Sequence, residues 1–192
     1  MPKAASNKGA NRRAAILAEA RTVLIRDGYD ALVLRSIADA LDIKLGNLQY
    51  YFRTREELVE AVVRAEALSD LEDIRRYCEA GSDDRVTFER LVDHIVGKWR
   101  GESGRILGIM GFLALHSATF RSMYSEIYEA FYSALAGQIR CLTPSLSVHE
   151  ADKRARLITA LLDGASMQLQ RGDRAGFTRD VVDIAWSIAT SD

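Results

Sequence analysis

Side chains able to do covalent or acid–base chemistry are few in this 192-residue chain, and their spacing argues against catalysis. His94, His116 and His149 are scattered, with no H-E-x-x-H or i, i+4 pair that could hold zinc. No phosphate-cradling G-x-x-x-x-G-K-[ST] or G-x-G-x-x-G step follows a strand pattern. Gly101-Glu102-Ser103-Gly104 lacks the G-x-S-x-G spacing of a nucleophile elbow. Glu56 and Glu57 stand where a helix start uses acidic groups for capping. Cys78 and Cys141 are too few for a disulfide framework and have no obvious neighbour to activate a thiol. They read as buried structural cysteines of a reducing, cytoplasmic protein. The expectation is no enzyme, no cofactor and no metal.

A denser chemical signal lies between Arg35 and Arg55. A short helix predicted over 45–52 buries Leu45, Leu48 and Phe52. At about 100° per residue its other side presents Gly46, Asn47 and Tyr50, with Gln49 and Tyr51 on the flanks. Asparagine can pair with adenine through two hydrogen bonds, glycine permits close approach, and tyrosine hydroxyls reach phosphates. Lys44, Arg53 and Arg55 at the ends of that helix can neutralise backbone charge. The chemistry these residues suit is recognition of a duplex. The bland alternative is a helical hairpin with incidental surface tyrosines.

The elements that must position this set follow from periodicity. Ile16, Leu17, Ala20, Val23 and Leu24 share a face of a helix predicted over 12–27, which Gly28 can terminate. A second helix fits 34–41, where Leu34, Ile37, Ala38 and Leu41 are core candidates. Asp42-Ile43-Lys44 is then a tight turn, so two short helices joined by three residues form a helix-turn-helix. Thr54-Arg55-Glu56-Glu57 is a capping box that opens a helix to about residue 78. Further helices are expected over roughly 84–100, with Ser82 or Asp83 as cap, and over 105–117, 121–141, 147–171 and 175–189. Ser147 to Glu150 is another capping box. Gly97, Gly101, Gly104, Gly108 and Gly111 mark a segment that is either weakly helical or closely packed. The expected fold is all-α, with about nine helices.

Composition sets the outer bounds. Hydrophobic residues make up 48% of the chain, and 26 basic against 27 acidic residues leave a formal charge of −1. That total excludes a histone-like polycation, and no apolar run reaches the length of a membrane span. The basic N-terminus lacks the apolar stretch of a secretory signal. The charge is nevertheless polarised. Residues 1–55 hold ten Lys/Arg against five Asp/Glu, and residues 56–192 hold sixteen against twenty-two. A basic head of +5 on a body of −6 suits a module that grips a polyanion locally.

The stretch from Ser36 to Val63 resembles the DNA-binding domain of the tetracycline-repressor (TetR) family of bacterial transcriptional regulators. The resemblance rests on Ile37-Ala38, the turn Asp42-Ile43-Lys44, Gly46-Asn47-Leu48, Tyr50-Tyr51-Phe52 and Arg55-Glu56-Glu57-Leu58. Arg26 to Ala31 also matches the family's end of helix one, so the likeness covers roughly residues 12–62. It implies an N-terminal three-helix DNA-binding domain with its arm over 1–55 and a helical ligand-binding and dimerisation domain over 56–192. It implies DNA contacts from Arg35, Lys44, Leu45, Gly46, Asn47, Gln49, Tyr50, Tyr51, Arg53 and Arg55. The chain departs from the family pattern at several points. Gln49 stands where a phosphate-contacting tyrosine is usual, Tyr51 replaces a common histidine, and Lys44 replaces a turn serine. Leu32-Val33 replaces the Ser/Thr pair that often caps helix two.

The same resemblance implies a homodimer on a palindromic double-stranded operator, released by a small organic inducer, with no membrane partner. The last helix fits, since Phe177, Val181, Ile184 and Ile188 line one side and Val182, Trp186 and Ala189 another. With Leu157, Leu161 and Ala165, the residues Val182, Trp186 and Ala189 are the dimer candidates. Seven of fifteen aromatics fall between Trp99 and Tyr132. Trp99, Met110, Phe112, His116, Phe120, Tyr124 and Tyr128 are the pocket candidates, with plain core filling as the alternative. Two other readings remain open: a helical protein-interaction module without DNA binding, and an activator built on the same head.

Overall fold

The computed structural model describes residues 3–79, 85–170, 172 and 176–191, with backbone alone for 3–7, 78 and 79. Its described residues form nine α-helices and no strand. The first three are α1 (Lys3–Asp27), α2 (Leu34–Ala40) and α3 (Leu45–Tyr51). They are followed by α4 (Arg55–Glu79), α5 (Arg85–Trp99) and α6 (Glu102–His116). The chain closes with α7 (Ala118–Leu142), α8 (Val148–Leu169) and α9 (Phe177–Thr190). The expected caps at Ser82 or Asp83 lie outside the described residues.

Buried Ile16, Ala20 and Leu24 of α1 recur at four-residue steps and form the base on which α2 and α4 pack. Gly28 ends α1 with a φ of 84°, a backbone state that costs a side-chain-bearing residue, and its N–H reaches the Val23 carbonyl at 3.2 Å. The turn between α2 and α3 closes through Ile43 N–H to the Ala38 carbonyl at 3.0 Å. Asp42 there takes a φ of 50°, a left-handed state that aspartate tolerates better than most residues. Neither Val33 nor Lys44 caps its helix through a side chain, as their residue types foretold.

Thr54 Oγ1 accepts the Glu57 N–H at 3.1 Å, half of the expected capping box. Glu57 does not close it on Thr54; its carboxylate takes the Arg53 N–H at 2.8 Å, one residue earlier. Ser147 caps α8 by accepting the Glu150 N–H at 3.1 Å. The 25 residues of α4 span about 37 Å, enough to run from head to body. The α4 residues Leu58, Val59, Val62 and Val63 are buried near the head, and Ala67, Leu71 and Ile74 farther along. One continuous core runs from Ile16 to Ala189.

The glycine-rich segment is helical from Glu102 rather than 105, and its glycines do different jobs. A Cβ on Gly104 would lie 1.6 Å from the Trp99 carbonyl oxygen, so the α5–α6 corner requires glycine for close approach. A Cβ on Gly108 would meet nothing within 4 Å. Close packing and open space therefore alternate along one helix.

Candidate nucleic-acid interface and body cavity

The helix-turn-helix places its chemistry on the outside. Leu48 and Phe52 are buried, whereas Gly46, Asn47, Gln49 and Tyr50 are exposed, Tyr50 at 82%. Arg35, Lys44 and Arg53 are also exposed, and no ion pair among the described residues engages them. Leu45 is half-buried beside them. Tyr51 is half-buried as well, packed edge-on against Tyr50 at 5.1 Å between ring centroids.

Arg55 departs from its expected role as a free cation. Its guanidinium lies 3.7 Å over the Tyr29 ring and donates to the Tyr29 carbonyl at 2.6 Å. It thus fastens the start of α4 to the turn after α1. Sequence reading also began α1 too late. The helix starts at Lys3, and exposed Lys8, Arg12 and Arg13 extend it on the side where the Tyr51 hydroxyl comes close to Gly9. The only sequence signal for this was the basic composition of the N-terminus, because its apolar stripe starts at Ile16.

In the body, a cavity of about 410 Å³ opens between α6, α7 and α8. Four pocket candidates line it: Trp99, Phe112, Tyr124 and Tyr128. Tyr124 and Tyr128 stack with centroids 4.3 Å apart. Met110 and Phe120 lie outside the lining and fill the core at 0% and 3% exposure. His116 sits exposed at the end of α6, edge-on to Phe112 at 5.2 Å, and does not line the cavity either.

The remaining lining was missed. Asp163, Ser166, Met167 and Gln170 of α8 and its end face Gly104, Gly108 and Gly111 of α6. Tyr128 donates its hydroxyl proton to Asp163 Oδ2 at 2.9 Å. Burial pushes the Asp163 acid up to about 6, against the opposing effect of that hydrogen bond. Burial likewise raises the Tyr128 phenol, and the neighbouring Asp163 charge adds to the effect. Ser166 Oγ is buried and has no hydrogen-bond partner among the described residues.

A polar chain connects the cavity wall to the head. Trp99 donates its indole N–H to Asp70 at 2.8 Å, and Lys98 pairs with Asp70 and Asp73 at 2.7 and 2.6 Å. Ser103, next to Gly104, donates to Glu66. Glu66 in turn holds Arg21 of α1 at 2.8 Å, and Arg21 also reaches Glu102 at 2.8 Å. Burial opposes the Glu66 charge, but the bonds from Arg21 and Ser103 prevail and keep its carboxyl below the usual range. Start of α6, middle of α4 and middle of α1 therefore share one carboxylate.

The dimer candidates divide. Ala165, Val182 and Ala189 are at most 4% exposed and pack within the protomer. Trp186 is half-buried against Phe88 and lies under the Arg85 guanidinium. Among the apolar groups that α8 and α9 leave outside are Leu157 and Ile184, each about half exposed, with Leu161 and Ile188 half-buried; Val148 and Met167 at the two ends of α8 are exposed as well. Cys141 is exposed, contrary to the expectation of a buried thiol, and the Cys78 side chain lies outside the described residues. No group of acids, histidines and cysteines among the described residues could hold a metal ion. None of the described helices is long and apolar enough to cross a membrane.

Comparison with known proteins agrees with this geometry. Residues 16–62 match the family model "Bacterial regulatory proteins, tetR family". Over 82 residues the chain is 37% identical to the HTH-type transcriptional repressor KstR2 of Rhodococcus jostii. That match spans 42% of this chain and only 40% of the repressor's length. The fold is similar to a transcriptional regulator from Saccharomonospora viridis solved in complex with choline. That likeness has a TM-score of 0.74 at 17% identity, covering 93% of this chain and 95% of the other. It is also similar to the multidrug binding protein EbrR complexed with malachite green, with a TM-score of 0.70 at 20% identity over 92% and 97% of the two chains. The helix-turn-helix and the matched residues agree: over residues 16–62 the chain is similar to the tetR family of bacterial regulatory proteins, and its described helices share the fold of these solved regulators.

Proposed function

We propose that this protein is a ligand-responsive DNA-binding transcriptional regulator, a repressor that a small organic inducer releases from a palindromic operator. The observation that carries the reading is the outward face of α3, where Gly46, Asn47, Gln49 and Tyr50 are exposed between the cations Lys44 and Arg53. Asn47 is the base-reading group, and Arg35, Lys44, Gln49, Tyr50, Tyr51 and Arg53 hold the phosphates. Leu45 and Gly46 set how closely the helix approaches. Arg55 acts by fixing the head on α4. The relative named as a repressor supports the direction of control. The two neighbours solved with choline and with malachite green support the body cavity as an effector site.

Control follows from the shared Glu66 carboxylate. A ligand that enters beside Gly104 and Trp99 shifts the start of α6, and Ser103 and Glu102 pass the shift to Arg21 of α1. Ligand and operator then favour different settings of the head, with a coupling of about 1–3 kcal/mol. The dimer forms through the outward side of α8 and α9.

Selection from randomised duplexes, followed by gel-shift titration over a salt series, tests the reading. The expected product is a two-fold site whose binding weakens steeply with salt. Asn47→Ala should cost about 1–3 kcal/mol on that site and little on random duplex. Failure to enrich any sequence, or an equal loss on both duplexes, removes the assignment.

A further inference from the structure

We infer that the body cavity takes an organic cation, with an ammonium group set against the Asp163 carboxylate and an apolar remainder held among Tyr124, Tyr128, Trp99 and Phe112. The inference rests on reading that cavity as the effector site and names the chemistry of its ligand.

Four observations carry it. Asp163 is the one carboxylate, ammonium or guanidinium group among the described lining residues, and apart from the neutral Ser166 and Gln170 the walls around it are aromatic, aliphatic or glycine. Among the described residues no cation pairs with it; its hydrogen bond comes from the neutral Tyr128 hydroxyl. A half-buried carboxylate without a counter-charge is costly, and its raised pKa reports the same cost on the charged form. A cationic ligand removes that cost, an anion adds to it, and a neutral ligand leaves it in place.

Next, the stacked faces of Tyr124 and Tyr128 and the ring of Trp99 border the same space. Aromatic faces are negative and attract ammonium groups, most strongly where water is excluded. Ser166 supplies the third observation. Its hydroxyl lies one helical turn from Asp163, is buried, lines the cavity, and has no partner among the described residues. Orphaned buried hydroxyls are uncommon, and this one is available to an N–H of the ligand. Finally, about 410 Å³ is far more than a bare ammonium fills, and Gly108 and Gly111 leave that extra space on the α6 side. Phe112, Leu115 and Met167 are largely exposed around it, so the remainder of the ligand is apolar.

Calorimetry on the full chain at neutral pH tests this with one skeleton and three head groups: 4-phenylbutylammonium, 4-phenylbutan-1-ol and 4-phenylbutyrate. The ammonium should bind at least about tenfold tighter than the alcohol, and the carboxylate more weakly than either. Asp163→Asn should erase the preference for the ammonium while the alcohol binds as before. Gly108→Leu, whose side chain enters open space, should abolish binding of all three. If Asp163→Asn does not fold, Ser166→Ala and Tyr124→Leu take its place, each lowering ammonium affinity more than alcohol affinity. The inference is overturned by a preference for carboxylate, by equal affinities, by no binding of any probe, or by a cation preference that survives in Asp163→Asn. Operator release is measured separately. A cation that binds through Asp163 yet leaves the DNA complex intact upholds the ligand class and removes the effector role. An anion that binds and releases DNA does the reverse.

Discussion

Burial holds the Asp163 acid near 6, above its ordinary 3.8, so the folded protein binds that proton more tightly than the unfolded chain does. The sign follows directly. The charged carboxylate lowers stability at pH values above about 6, and the cost disappears as pH falls toward 4 and the group protonates. Asparagine keeps an oxygen for the Tyr128 hydroxyl and carries no charge. Asp163→Asn is therefore expected to raise the melting temperature of the ligand-free protein at pH 8, by roughly 1–3 kcal/mol of stability. The gain should shrink as pH falls through about 6 and be nearly gone close to pH 4. Scanning fluorimetry across that range checks it, and a gain independent of pH contradicts the account. Arg55 teaches a second lesson at this scale. Its position promised a phosphate contact, yet the Tyr29 ring and carbonyl occupy its guanidinium. Position in a motif predicts which residue is present, whereas its partners decide what it does.

Among elements, α6 is where the body meets the head. Gly104 presses its start against Trp99, and the next residues back, Ser103 and Glu102, hold Glu66 and Arg21. Arg21→Gln removes the charge on the α1 side and leaves the α3 surface untouched. It should keep operator affinity within about threefold, yet reduce the loss of affinity that an inducer causes by roughly tenfold. Fluorescence anisotropy of labelled operator, with and without ligand, separates these effects; an unchanged inducer response rules out the Arg21 link. The head was legible in sequence because Leu45, Leu48 and Phe52 leave only one way for so short a helix to sit. The cavity was half legible. Its aromatic wall stood out by density, but Asp163, Ser166 and Gln170 look like the wet side of an amphipathic helix. They become cavity residues only because the α6 glycines withdraw from them, which is a tertiary fact. Periodicity likewise found two apolar stripes on α9 and could not say which one the protomer uses itself. Val182 and Ala189 went inward, and Ile184 stayed out.

For the whole molecule, the exposed Ile184 and Leu157 set the expected assembly. Ile184→Arg places a charge on a half-exposed site and should leave the monomer folded. Sedimentation should show the change from dimer to monomer, and operator affinity should fall by about 10²-fold or more because the second head no longer binds intramolecularly. A variant that stays dimeric moves the interface elsewhere. The charge distribution takes on a clearer meaning at this scale: under the proposed function the basic head would carry the reading surface, and the acidic body would keep the rest of the molecule off the duplex. The two tryptophans have a practical consequence. Trp99 is 4% exposed, bonded to Asp70 and set in the cavity wall, whereas Trp186 is half-buried on α9 under a guanidinium. They sit in environments of different polarity and, under the proposed function, at different events, one at ligand entry and one near subunit contact. Each single-tryptophan version of the protein is thus an intrinsic optical probe, able to time ligand arrival and subunit association separately without any attached dye.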